Sequence, residues 1–216
     1  MIPTGKRRAR LATMLAAGDA LPPRKSPPAA ASEVPPPAPF IYRATKQLFR
    51  DKFATDPSSR WRVLSGTWVW KNDMYAGYGA RTTCSVTGDE SWSDYEFSGQ
   101  FKLDELDHRA AYLYLRVSDN SARRCYRITN FFRRGITLEY FDGERSTLMA
   151  EVPYPIRKEP WYRFRTVVKG SALNYFLNDT LRISSAKLVH LQRGKVGIGS
   201  ETVPTYFKDI TVNKVE

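Results

Sequence analysis

The sequence predicts an all-β domain, an antiparallel sandwich or barrel, preceded by an arm that cannot fold by itself. Three observations lead there. Short runs of alternating apolar and polar residues recur from Phe40 onward, with turn residues between them. None of those runs makes a convincing helix; "TKQLFRDKF" forms one brief helical turn at most. The chain also divides sharply by composition. Residues 1–39 hold no Phe, Trp or Tyr but nine of the fourteen prolines, and all 28 aromatic residues lie beyond them.

The arm, residues 1–40, carries Lys6, Arg7, Arg8, Arg10, Arg24 and Lys25 against Asp19 and Glu33. A segment with so little to bury does not offset its own ordering entropy and is expected to order only against a partner. Arg7-Arg8 before "LATMLAA" has parts of an export or transit signal. That apolar run is short, however, and ends on Gly18-Asp19. The reading taken is a docking arm whose basic residues grip a larger protein assembly. Of the 216 residues, 41–216 then form one β-sandwich domain. No apolar run approaches the ~20 residues that a membrane-spanning helix needs.

The body opens with "WRVLSGTWVWKNDMYAGYG", short runs broken at Ser65-Gly66 and Asn72-Asp73. "DYEFSGQFKL" alternates strictly. Tyr95, Phe97, Gly99, Phe101 and Leu103 face one way, and Asp94, Glu96, Ser98, Gln100 and Lys102 the other. "AAYLYLRVSDN" repeats the pattern, with Ala111, Leu113, Leu115 and Val117 opposite Tyr112, Tyr114 and Arg116. "RCYRITNF", "GITLEYF" and "STLMAEV" follow, the last two joined at Asp142-Gly143, a strong hairpin dipeptide. After the Pro-rich "PYPIRKEP", the residues Tyr162, Phe164, Thr166 and Val168 alternate with Arg163, Arg165, Val167 and Lys169. Gly170-Ser171 turns the chain toward Leu173, Tyr175 and Leu177, and Asn178-Asp179 closes a second hairpin. "KVGIGS" and "TYFKDITV" supply the last strands, for eleven to thirteen in all.

Several of these pieces, in this order, carry a family resemblance. They are the "LRVSD" strand, the tyrosine strand after it, a tryptophan opening a strand that ends on glycine (Trp161 to Gly170), "GKVGIG" and "YFKDITV". Together with "FRDKF…WRVLSGTWVW" upstream, residues 48–216 resemble the concanavalin A-like, or laminin G-like, jelly-roll superfamily. The resemblance implies a jelly-roll β-sandwich. It leaves function open among lectins, carbohydrate-binding modules, glucanases and structural domains.

A glucanase of this superfamily would carry a Glu-x-Asp-x-x-Glu strand, its glutamates serving as nucleophile and general acid. The closest text, Glu105-Leu106-Asp107-His108-Arg109-Ala110, lacks one carboxylate. His108 and His190, the only histidines, have no ligand or triad spacing around them. Cys84 and Cys125 match no zinc or redox motif and read as two buried thiols or one cross-strand disulfide. These features argue against an enzyme and against a cofactor. A structural calcium ion, which many jelly rolls hold between first and last strands, would use Asp51 and Asp209.

The resemblance places a ligand groove on the polar face of the curved sheet. Tyr112, Tyr114 and Arg116 on one strand, with Tyr126 and Arg127 on the next, would form a glycan platform there. The net charge of +12 invites nucleic acid instead. Yet the body carries 28 basic and 20 acidic residues in scattered order, which does not favour it as a partner. The expectation is a non-catalytic binding or structural module, tethered by its arm to a larger assembly and presenting a glycan- or protein-binding face. A phage virion, with the protein as capsid-decoration or tail component, would suit that layout, as would an extracellular surface. The alternative is a glycoside hydrolase-like enzyme whose carboxylates the sequence does not locate.

Overall fold

The computed structural model describes residues 39–79, 81–103, 110–118, 124–132, 134–157, 160–185, 187–202 and 204–216. The arm residues Lys6, Arg7, Arg8, Arg10, Arg24 and Lys25 lie outside this range, as do Glu105, Asp107 and His108.

The described chain is all β. Its strands are β1 (Ala44–Asp51), β2 (Arg62–Ser65), β3 (Thr67–Lys71), β4 (Met74–Tyr78), β5 (Cys84–Thr87), β6 (Tyr95–Leu103), β7 (Ala110–Val117) and β8 (Cys125–Phe131). They continue with β9 (Gly135–Phe141), β10 (Ser146–Val152), β11 (Tyr162–Lys169), β12 (Ala172–Leu177), β13 (Thr180–Ser185), β14 (Lys195–Ser200) and β15 (Thr205–Val215). Sheet A runs β13-β12-β11-β6-β15-β4-β3, with β1 on the far half of β15, and sheet B runs β10-β9-β8-β7-β14-β5-β2. Every strand pair is antiparallel, and the chain passes repeatedly between the sheets, as in a jelly-roll sandwich.

"TKQLFRD" is a strand, not the brief helical turn expected of it. Phe49 pairs with Val212 and Asp51 with Ile210, so the long last strand supplies hydrogen bonds that local propensity does not anticipate. That extra strand helps raise the total above the sequence count.

The core lies between the sheets and is rich in rings. Phe97, Phe101, Phe164 and Phe207 from sheet A are buried against Leu113, Leu115, Ile128, Leu138 and Ile198 from sheet B. Burying one such side chain fully contributes about 1.5–3 kcal/mol. The Phe97 and Phe164 rings meet edge-on at 5.1 Å, and Phe101 stacks on Tyr162 at 5.4 Å. Near β1, Phe53, Trp61, Tyr75 and Trp68 form a second set of rings with neighbouring centroids 4.6–6.1 Å apart.

Two strands break strict alternation at residues held in the left-handed region. In β15 the register with β6 shifts between Lys208 and Thr211, where Asp209 has φ 53°. The extra residue lets Phe207, Ile210 and Val212 all face the core, although their spacing is not period two. In β7 the shift against β14 comes at Arg116, with φ 49°. Val117 thereby turns to the outer face, and the Arg116 side chain enters the interior, 0% exposed. Gly194 lies against this bulge. A Cβ there would stand 2.5 Å from the Val117 carbonyl oxygen, so only glycine fits.

Arg116 is held by carbonyl oxygens. Nε and Nη2 donate to Ser93 at 3.3 and 3.0 Å, Nη1 to Leu191 at 2.7 Å, and Nη2 to Gly170 at 2.7 Å. Asp94 adds an ion pair at 3.7 Å. The Arg116 backbone N–H donates to the Tyr95 hydroxyl at 3.0 Å.

Burial drives the phenol pKa values of Tyr95, Tyr112 and Tyr175 well above the ordinary value of about 10. In the unfolded chain these phenols ionise near pH 10, while the folded protein keeps their protons. Their contribution is therefore complete below about pH 10 and is lost as the pH climbs beyond it. The urea midpoint is expected to fall steeply above about pH 10, and less steeply in Tyr175→Phe. An unchanged alkaline slope in that variant would refute the assignment of part of it to Tyr175.

Candidate functional site

On the outer face of sheet B, the strand register brings side chains from β7, β8 and β9 into one row. Tyr114 pairs with Arg127, and Arg127 pairs with Glu139. Arg127 donates through Nε and Nη2 to one oxygen of Glu139, at 3.0 and 2.6 Å, and through Nη2 to Ser146 Oγ at 3.2 Å. Its guanidinium carbon lies 5.1 Å from the centre of the Tyr112 ring. Burial alone would lower the Arg127 pKa, but the Glu139 bond and charge outweigh it, and the net shift is upward. Burial, and after it the charge of the Glu201 carboxylate, keeps the Tyr112 phenol protonated.

The two tyrosine rings are neighbours, with centroids 6.1 Å apart and planes inclined at 46°. Tyr114 donates from its hydroxyl to the Thr83 carbonyl at 3.0 Å, and its ring covers Gly199, where a Cβ would come within 2.8 Å of it. Tyr112 and Tyr114 are each only 4% exposed. The Arg127 and Glu139 side chains, at 21% and 17%, are the more accessible polar atoms of this row. Cys84, Val86, Val117 and Cys125 complete the apolar part of the face.

Of the five residues expected to form a platform, Tyr112, Tyr114 and Arg127 share this face. Arg116 and Tyr126 do not, which corrects their placement. The β7 bulge turns Arg116 inward, where its donors are committed to backbone carbonyls. Tyr126 pairs with Leu115 and shares its core side. There its hydroxyl accepts from the His190 and Leu191 amides at 2.8 and 3.2 Å. Sequence reasoning missed Glu139, Ser146 and Glu201. Glu139 was visible as the polar member of "TLEYF", but its partner depends on register that no single strand encodes.

Asp51 and Asp209 come close along the β1–β15 ladder, since Asp51 pairs with Ile210. Their carboxylates are engaged separately. Asp51 accepts from Phe53 N at 2.7 Å, Arg60 Nε and Nη2 at 3.0 and 3.2 Å, and Trp61 Nε1 at 3.0 Å. Asp209 accepts from Gln100 at 2.9 Å. Four donors around Asp51 supply the charge balance that a cation would otherwise provide. Among the described residues, no three His, Cys, Asp or Glu side chains cluster as a metal site. His190 stacks on Tyr140, with centroids 4.1 Å apart. No helix among the described residues is long and apolar enough to cross a membrane.

No protein-family model matches the sequence, and no curated protein matches it. Solved structures do resemble the fold. The carbohydrate binding module CBM66 from Bacillus subtilis superposes with a TM-score of 0.66 at 20% identity, over 71% of this chain and 95% of its own. A protein of unknown function with a galectin-like fold, also from Bacillus subtilis, gives 0.68 at 12% identity, covering 81% and 99%. Crh5 transglycosylase in complex with NAG gives 0.57 at 10% identity, covering 80% and 88%. The described chain shares their jelly-roll sandwich fold. At these identities the likeness extends to fold and no further.

Cys84 and Cys125 are both buried thiols, and burial pushes the Cys84 thiol well above its ordinary pKa. A thiol-reactive dye is expected to label neither cysteine quickly in the folded protein and both in denaturant. Fast labelling of the native protein would show that this face opens.

Proposed function

We propose that this chain is a non-catalytic, lectin-like binding module that takes a glycan on the outer face of sheet B. The observation that carries this reading is the Arg127–Glu139 pair beside Tyr112. Sugars are held by planar polar groups that bond adjacent hydroxyls. Arg127 and Glu139 offer donors and acceptors side by side, and Tyr112, itself 4% exposed, supports the guanidinium through its ring and does not meet the sugar. A pair fixed before binding loses little rotamer entropy on meeting its ligand. The resemblance to a carbohydrate-binding module supports the same reading.

Glycan-array screening of the full chain, followed by calorimetry, tests it. Arg127→Lys keeps the charge but loses the two-bond fork, and is expected to weaken binding about tenfold, or ~1.4 kcal/mol. Equal affinity in the variant, or no glycan bound by the folded chain, overturns the proposal. A glycosidase alternative would draw on Glu139, bonded to Arg127, and on Glu201, which acts on the Tyr112 phenol. Hydrolysis that vanishes in Glu139→Gln or Glu201→Gln would replace the binding reading.

Residues 1–40 serve, in this proposal, as the tether to a larger assembly, of which a virion is one form. The Pro-rich, basic composition of residues 1–39, without Phe, Trp or Tyr, supports this role. Deleting residues 1–38 is expected to leave the sandwich folded and to abolish its incorporation into that assembly. Assembly of the shortened chain at the full-length level would rule the tether out.

A further inference from the structure

The opposite face of the sandwich holds a second feature. Across sheet A, Lys102 of β6 pairs with Tyr206 of β15, Tyr206 pairs with Ala76 of β4, and Ala76 pairs with Val69 of β3. Trp161, just before β11, closes the row on the other side of Lys102. The small Ala76 side chain leaves a depression between Tyr206 and Val69. This is a cavity of about 410 Å³, lined also by Lys71, Met74, Tyr78 and Lys102.

Cations gather at this spot. Lys102 Nζ lies 5.7 Å from the Trp161 ring centre and 5.2 Å from that of Tyr206, and Lys208 Nζ lies 4.2 Å from the Trp161 ring. Among the described residues, no carboxylate forms an ion pair with Lys71, Lys102 or Lys208. Further along the same sheet two cations are paired, Arg163 with Asp179 at 2.6 Å and Arg165 with Glu96 at 4.0 Å. The two lysines that line the cavity, Lys71 and Lys102, suit one or two anionic groups. A nucleic-acid backbone would need a continuous basic track instead.

We propose that this cavity is a second binding site, specific for an acidic glycan. A carboxylated or sulfated sugar would place its anion at Lys102 and Lys71 and lay its ring against Tyr78 or Tyr206. The rings hold the ammonium groups in place through cation–π attraction, which a charge-assisted bond to the ligand then exceeds. The site is separate from the row on sheet B and stands or falls independently of it.

Calorimetry of the full chain at 150 mM salt, about the physiological ionic strength, is the test. The probes are an oligogalacturonate for the carboxylate, a chondroitin sulfate oligosaccharide for the sulfate ester, a neutral cello-oligosaccharide, and single-stranded oligothymidylate. At least one acidic glycan is expected to bind, and the neutral one to bind at least tenfold more weakly at this site. The double variant Lys71→Gln/Lys102→Gln is expected to lose at least tenfold in affinity for the acidic probe. These exposed or half-exposed lysines have no ion-pair partner among the described residues, so the variant's melting temperature should match the parent's. Arg163→Gln, at an exposed cation of the same sheet that does not line the cavity, is expected to leave acidic-glycan binding unchanged, which ties the loss to the cavity lysines. Undiminished binding in the double lysine variant overturns the proposal, as does equal affinity for the neutral oligosaccharide. Tighter binding of oligothymidylate than of any acidic glycan overturns it in favour of nucleic acid.

Discussion

The sandwich depends on the buried guanidinium of Arg116. Its N–H groups bond carbonyls from three separate segments: Ser93 before β6, Gly170 in the β11–β12 turn, and Leu191 before β14. Hydrogen bonds to a charged group contribute about 1.5–3 kcal/mol each. This one side chain thus ties β7 of sheet B to both hairpin strands of sheet A and to the strand that follows β13. The left-handed backbone at residue 116 is what admits it, and Gly194 is what allows that backbone to fit. Fold geometry and the charge at its centre are one constraint.

The layers of the fold were legible wherever strands alternate cleanly. In β6, Tyr95, Phe97, Phe101 and Leu103 are all buried at 1% exposure or less, as period two dictates. Legibility ended at the bulges. Arg116 reads as an outward residue beside Tyr114, because nothing in "YLYLRV" announces that the strand gains a residue there. Asp209 is the milder case: the spacing of Phe207, Ile210 and Val212 makes sense only with the bulge in place. β1 escaped for another reason. "TKQLFRD" is a strand because β15 lies beside it, and that partner is about 160 residues away along the chain.

The surfaces followed the same division. Which residues of a strand face outward could be read from its pattern, so Tyr112, Lys102 and Arg163 were all placed on polar sides. Which of them meet could not. Arg127 with Glu139, and Lys102 with Tyr206, are products of register across strands. The basic and aromatic stretch at 161–180 shows the difference. Arg165 lies 3.8 Å from the Phe176 ring centre and donates to Tyr42, so it is occupied within the molecule. Arg163 is paired with Asp179, a surface contact that contributes little to stability.

The entry of the chain into the domain has a mechanical meaning. Before β1 begins, Phe40 and Tyr42 pack against Val167, Phe176 and Val215, and Tyr42 donates to Glu96 at 2.8 Å. Arg43 and Glu216 then exchange two backbone hydrogen bonds, at 2.9 and 3.0 Å, ahead of the β1–β15 ladder. An antiparallel strand lifted from its end yields one bond at a time, which is the weak way to load a sheet. In the tether proposed for residues 1–38, tension would meet the aromatic clamp first and would have to strip both rings from sheet A before any rung of the ladder bore it. The clamp would then act as a strain relief and shield β1 from being peeled.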